Sequence, residues 1–294
     1  MGIPAGGLTA DQKAAYNRDG FLLLEDFVSL EECERLKQRA EELVAGFDPK
    51  DVSIFSTKNQ KQHTDDYFHK SAGNISFFFE EKAFDEKGQL VQPKALSINK
   101  IGHALHDLDP AFRSFSRSEK VAAVMASLGY KRPLPVQSMY IFKQPGIGGE
   151  VVPHQDNTFL YTDPPSVVAF WVALEDATKE NGCLWALPGS HKEGNVRRFI
   201  RTDNGVHFDK DMPHYDVTQM VPIEARAGSV VLLDGSLIHM SHENQSPKSR
   251  HAYTVHVIEG QGSKWAEDNW LQRPVNFPFE ALYEEATSCE KVVV

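Results

Sequence analysis

Pro153-His154-Gln155-Asp156-Asn157 is the stretch on which the fold and chemistry of this chain turn. It carries a His-x-Asp pattern. In an extended strand, residues two apart share a face and lie roughly 6.6 Å apart along the chain. A strand here presents the His154 imidazole and the Asp156 carboxylate to one point and turns Gln155 away. A borderline nitrogen and a hard oxygen side by side suit Fe(II), Mn(II) or Zn(II). A single His-x-Asp also arises readily by chance, so its meaning depends on its surroundings.

The sequence around it has the texture of short strands. Val136 to Phe142 has strand composition, and Gly146-Ile147-Gly148-Gly149 turns the chain into the His154 segment. Ser166 to Leu174 is almost continuously apolar, as in a strand buried on both faces. Asn181-Gly182 is a hairpin signal, followed by strand from Cys183 to Leu187. Gly228 to Leu233 reads as strand, Asp234-Gly235 turns it into Leu237–Ser241, and Arg250 to Glu259 is the last clear strand. Residues 192–218 are polar and irregular and read as a surface excursion or lid. Six to eight short strands at this spacing predict a jelly roll.

A helical block precedes them. Thr9 and Gln12 have capping-box spacing for a helix running to about Arg18, where Asp19-Gly20 stops it. Phe21 to Leu24 is a short strand. Ser29 and Glu32 have the same spacing for a second helix, with Cys33, Leu36, Ala40, Leu43 and Val44 on its apolar side. Phe77-Phe78-Phe79 reads as a buried strand. Ser116 and Glu119 have the spacing to cap a helix reaching Leu128. The expected organisation is one domain: a helical part over about 9–130, a jelly-roll core over about 134–260, and a tail, 261–294, wrapping it.

A metal needs a third ligand. His239 is the leading candidate, with Arg250 eleven residues beyond it. Two histidines and one carboxylate on one side of a metal form the facial triad of non-haem iron oxygenases. In a strand from Leu237 to His242, His239 and His242 face opposite ways, and parity does not choose between them. His191 and His214 lie in turn-rich stretches less suited to a rigid site. His103 and His106 are expected to have structural or surface roles. On the last strand Arg250, Ala252, Thr254 and His256 share a face. A guanidinium turned into a barrel is costly without a partner, and it matches a carboxylate through a bidentate grip. Arg250 therefore makes sense if a dicarboxylate arrives with the metal.

Composition narrows the classes. At 294 residues the chain can bury a sizeable core, and a net charge of −10 argues against a general nucleic-acid binder. Three cysteines, Cys33, Cys183 and Cys289, form neither a disulfide framework nor a thiolate metal site. No apolar run is long enough to span a membrane, and the N-terminus lacks the pattern of a signal peptide. Met1-Gly2 lacks the Ser or Thr of a myristoylation start at position 6, and Val292-Val293-Val294 is not a peroxisomal address. A cytoplasmic location is expected, with a small-molecule substrate and neither nucleic acid nor membrane as partner.

His154-x-Asp156, His239 and Arg250 together resemble the iron(II)- and 2-oxoglutarate-dependent oxygenases. Glu180-Asn181-Gly182-Cys183-Leu184, Pro188-Gly189-Ser190-His191 and the opening Asp19-Gly20-Phe21 are similar to the phytanoyl-CoA dioxygenase family. Within it, Ser97 to His106, Gln137 to Pro145 and Glu267 to Leu271 match one relative in long unbroken segments. The similarity runs from about residue 10 to about 283, leaving out the excursion near 200–216. The resemblance implies a double-stranded β-helix (jelly-roll) fold with Fe(II) held by His154, Asp156 and His239, which settles the parity question. It implies 2-oxoglutarate held by Arg250, with Lys100, Met139, Trp171 and Ser241 lining its pocket. Lys100 adds charge, Ser241 offers a hydrogen bond, and Met139 and Trp171 give apolar walls. The implied reaction consumes O2, decarboxylates 2-oxoglutarate to succinate and CO2, and hydroxylates a C–H bond, with ascorbate as a candidate reductant. Related halogenating enzymes lack the carboxylate that Asp156 supplies. A non-oxidising metal-binding jelly roll that binds a small acid is the alternative, and a zinc hydrolase leaves Arg250 without a task.

Overall fold

The computed structural model describes residues 6–49, 53–55, 66–203 and 205–284. The start of the Gly-rich lead-in, Cys289 and the terminal valines lie outside the described residues. Two sheets carry the fold. The larger has eight strands in the order Phe21–Leu24, Val230–Asp234, Val168–Ala173, Ala252–Glu259, Pro133–Ile141, Ile98–His103, Ile75–Glu80 and Ile54–Phe55. Its neighbours are antiparallel except for the last pair. The smaller has four strands in the order Val221–Ile223, Leu184–Ala186, His239–Ser241 and Val151–His154. The sheets do not close into a barrel. They face one another as a mainly β jelly roll, as the strand spacing predicts.

The alternation of side chains explains the layers. Val168, Phe170 and Val172 join a core shared with helix residues Leu36, Ala40, Phe112 and Val124. Ala169, Trp171 and Ala173 point the other way, into a second core with Leu184 and Ala186 of the smaller sheet. One strand serves two cores, which is why Ser166–Leu174 reads as nearly continuous apolar sequence. The helices cover the outer face of the larger sheet and leave its inner face to the smaller one.

Local chemistry sets the helix ends. Thr9 accepts from the Gln12 amide while the Gln12 side chain accepts from Thr9, closing the expected capping box. Gly20, at φ 83°, ends that helix by donating to the Tyr16 carbonyl. Ser29 caps Leu30–Gly46, but Glu32 turns to Arg35 at 3.0 Å instead of reaching back.

Three expectations need correction. Ser116 caps nothing: Asp109 caps Pro110–Ser116, Ser118 caps Glu119–Ser127, and the Ser116 hydroxyl donates back to Phe112 O. Asn181-Gly182 is no hairpin turn. Both edges of Val168–Ala173 are taken by other strands, so Leu184–Ala186 must pair in the opposite sheet, and the turn with Gly182 at φ 87° makes that crossing. The excursion is not irregular throughout, because Phe199–Thr202 and Gly205–Phe208 form an antiparallel hairpin. Its Phe199 and Phe208 rings pack 4.9 Å apart and bring an apolar face to the jelly roll. Lys264–Trp265 pairs with Thr162–Asp163, and Trp270 is buried. No helix among the described residues is long and apolar enough to cross a membrane.

Candidate metal centre and anion pocket

The strand that carries the His-x-Asp pattern is Val151–His154 and stops two residues short of Asp156. Gln155 stays extended (φ −120°, ψ 137°), and Asp156 opens a single 3-10 turn, Asp156–Thr158. The extended Gln155 preserves the alternation. Its side chain turns away and is used up on Gly194 O, Ser236 O and the Val196 amide. The turn is clamped from behind: the Asn157 amide donates to Gly235 O and its side chain to Ser236 Oγ, each at 2.8 Å. That loop leads directly into His239–Ser241, where His239 pairs with His154 across the smaller sheet.

The two imidazoles are pre-oriented by the backbone. His154 Nδ1 lies 2.9 Å from Val152 O, and His239 Nδ1 lies 3.0 Å from Leu237 O. A carbonyl only accepts, so each Nδ1 carries the proton and each Nε2 keeps its lone pair. Both Nε2 atoms face Asp156 Oδ1, at 3.6 and 3.7 Å, and the rings stand 4.2 Å apart. Burial and the neighbouring His154 push His239 down to about 4, so its imidazole is neutral near pH 7. Burial alone would raise the Asp156 carboxyl. The facing His256 and His239 imidazoles outweigh it and hold that carboxyl well below the usual range. The three donor atoms lie within 4.8 Å of one another. Two nitrogen lone pairs and one carboxylate, with backbone carbonyls fixing the tautomers, fit a divalent transition metal.

His242 is exposed and packs its ring on Trp185, so the parity alternative falls away. His214 is exposed, and His191 reaches only Asn17 O. His106 is buried against Ser138 and stays outside the cluster, as expected. His103 is tied to Ser71 but also lines the cavity above the site.

That cavity is about 730 Å³, and its cationic wall lies beside the three ligands. Arg250 is 2% exposed, and its Nε and Nη1 have no hydrogen-bond partner among the described residues. Its guanidinium sits 5.0 Å from the Trp171 ring. Burial pushes it down to about 10, which leaves it charged at neutral pH. Lys143 Nζ donates to Gly149 O and Ser241 Oγ, at 2.7 and 2.9 Å. Burial and the nearby Arg250 push Lys143 down to about 7. Lys100 Nζ stands 3.3 Å over the Phe55 ring and 3.7 Å from Met139 Sδ, and burial pushes it well below its ordinary value. None of these three basic side chains forms an ion pair among the described residues. A pocket built this way is prepared for an anion from outside.

Lys100, Met139, Trp171, Ser241 and Arg250, which the resemblance implies for a cosubstrate pocket, all line this cavity. The sequence reading missed His256, whose Nε2 lies 3.3 Å from Asp156 Oδ2, and Lys143. His256 shares the inward face with Arg250 by parity, which was a usable signal. Lys143 adopts a left-handed φ of 46°, which no pattern announces.

Comparison with known proteins now decides the family. Residues 16–252 match the profile of phytanoyl-CoA dioxygenase (PhyH). The chain belongs to the phytanoyl-CoA dioxygenase family. It is 59% identical to "Phytanoyl-CoA dioxygenase" of Arabidopsis thaliana, covering 93% of this chain and 96% of that one. It is 48% identical to "Phytanoyl-CoA dioxygenase domain-containing protein 1" of Mus musculus, covering 94% and 99%. Among solved structures it resembles EctD from S. alaskensis in its apoform, with TM-score 0.62 at 21% identity over 97% of this chain and 90% of that chain. A second EctD structure, holding 2-oxoglutarate and 5-hydroxyectoine, gives TM-score 0.60 at 21% identity over 88% and 78%. At that identity the likeness establishes the fold of this phytanoyl-CoA dioxygenase family member.

Proposed function

We propose that this family member is an iron(II)- and 2-oxoglutarate-dependent dioxygenase that hydroxylates a C–H bond of a small molecule. The observation that carries the reading is the pairing of two features in one cavity. Three convergent ligands, His154, Asp156 and His239, stand beside a buried Arg250 with unpartnered nitrogens. A metal alone accounts for the first feature, and only an anionic co-ligand accounts for the second.

Each residue has a task in this scheme. His154 and His239 offer Nε2 lone pairs, and Asp156 supplies the charge that selects a divalent ion. Arg250 grips the distal carboxylate of 2-oxoglutarate in bidentate fashion. Trp171 and Met139 wall the pocket, Ser241 presents a hydroxyl, and Lys100 adds positive potential. Bound iron would supply dioxygen activation at the expense of the keto acid, giving succinate and CO2, and ascorbate would serve as the reductant that keeps the metal ferrous. The protein's part is to keep coordination positions open, orient the cosubstrate and exclude water.

The test is a turnover assay with Fe(II), 2-oxoglutarate and oxygen. Succinate release is expected from the wild-type protein and is lost in Asp156→Ala. Binding of metal and 2-oxoglutarate without succinate release would instead make the chain a non-oxidising small-acid binder.

A further inference from the structure

The cavity holds a second polar group that the scheme above does not use. His103 is 1% exposed and boxed by aromatic rings: Trp270 at 5.1 Å, Phe78 at 5.5 Å and Phe68 at 5.6 Å between centroids. Its Nδ1 lies 2.7 Å from Ser71 Oγ. Ser71 has one proton, and it goes to Phe68 O at 2.5 Å. Ser71 Oγ must therefore accept from His103 Nδ1–H, which leaves the lone pair on Nε2. Burial, with Lys100 and His256 nearby, pushes His103 well below its ordinary value, so the ring is neutral. The result is an imidazole locked as a hydrogen-bond acceptor on the cavity wall.

A second acceptor stands on the same cavity wall. Gln137 is buried, lines the cavity, and has an Oε1 with no hydrogen-bond partner among the described residues. Lone pairs facing an apolar, aromatic space are costly until a donor arrives. An ammonium group could donate, but it would meet the charge of Arg250 in the same cavity. A neutral hydroxyl satisfies the acceptors without that repulsion, and the rings around His103 suit an apolar body.

The geometry points to a primary substrate that is a neutral, largely apolar alcohol, held by its hydroxyl donating to His103 Nε2. The inference rests on the oxygenase reading of the same cavity and names its substrate class. His103 is then a specificity-determining residue, and Ser71 is the residue that sets its tautomer.

The test uses protein loaded with Zn(II) and 2-oxoglutarate, so that nothing turns over. Ligand-detected NMR compares benzyl alcohol, benzyl methyl ether and benzylammonium. Benzyl alcohol is expected to bind about tenfold more tightly than the ether, the worth of one buried hydrogen bond, with the ammonium weakest. His103→Phe is expected to erase the difference between alcohol and ether. His103→Gln, which keeps an acceptor, retains part of it. Ser71→Ala, which releases the tautomer, reduces it without touching the ring. 2-Oxoglutarate affinity, measured separately by calorimetry, is expected to be unchanged in all three variants, whereas a wild-type protein that binds no 2-oxoglutarate would mark a failure of the oxygenase reading. Equal binding of alcohol and ether to the wild type, no binding of either, or preferred binding of the ammonium overturns the proposal.

Discussion

His256 Nε2 stands 3.3 Å from Asp156 Oδ2, on the side of the carboxylate away from the two ligand imidazoles. The Asp156 carboxylate thereby has one oxygen beside the His256 ring and the other facing the two ligand imidazoles. Partners of this kind orient a ligating carboxylate, and their loss typically costs about 10–100-fold in metal affinity. His256→Leu is expected to weaken divalent metal binding by about that factor, whereas His256→Gln, which keeps an N–H, recovers part of it. A competition titration with a chelating dye measures this directly. Wild-type affinity in His256→Leu would show that Asp156 needs no such support.

Arg250 makes a prediction of opposite sign for the empty and the loaded protein. Its guanidinium is buried with Nε and Nη1 unpartnered, an arrangement that destabilises the chain until an anion arrives. Arg250→Met removes the charge and keeps an apolar stem. The ligand-free variant is expected to be more stable by about 1–3 kcal/mol in a denaturant titration. The same variant is expected to bind 2-oxoglutarate at least ~30-fold more weakly, in line with losing one side of a buried charge pair. A stability loss in the ligand-free variant would mean that Arg250 holds the fold rather than the cosubstrate.

The two sides of this site were unequally legible in the sequence. His154 and Asp156 could be read because a two-residue period survives even where the strand stops, through an extended Gln155. His239 required the resemblance, since parity alone left His242 standing. The jelly roll followed from strand spacing, and the double burial of Val168–Ala173 from its unbroken apolar run. The hidden features are those fixed by contacts between distant segments. Asn181-Gly182 has hairpin chemistry, but strand pairing elsewhere turns it into a crossing between sheets. Nothing local tells that the ring at 256 meets the carboxylate at 156, or that Ser71 sets the tautomer of His103.

Lys143 links stability to pH. Burial, and then Arg250, push its ammonium from an ordinary 10.5 down to about 7. Between those values the unfolded chain holds a proton that the folded chain does not, so stability rises with pH across that window. Below about pH 7 the folded protein carries the full cost of the buried charge. Lys143→Met is expected to flatten the rise between pH 7 and pH 10, seen as the difference between wild-type and variant denaturation midpoints. An identical slope in both proteins would place the titration on another group.

Gly235 is the point where the two ligand-bearing segments touch. A Cβ there would come within 2.5 Å of Val167 Cβ and 2.9 Å of Asn157 Cγ. Asn157 follows Asp156 directly and is tied by its amide to Gly235 O and by its side chain to Ser236 Oγ. Neither neighbour is the loose end of a long side chain, so the turn itself must move. Overpacking of this kind costs about 1–3 kcal/mol. Because the displaced turn carries Asp156, Gly235→Ala is expected to lower metal affinity as well as stability. Gly262, at φ 88° with open space around its Cβ position, serves as the control. Gly262→Ala is expected to cost stability through backbone conformation alone and to leave metal binding unchanged. Chelator titrations and denaturation curves on the two variants separate the effects, and equal metal affinity in both would show that the 156–158 turn absorbs the added methyl without moving its carboxylate.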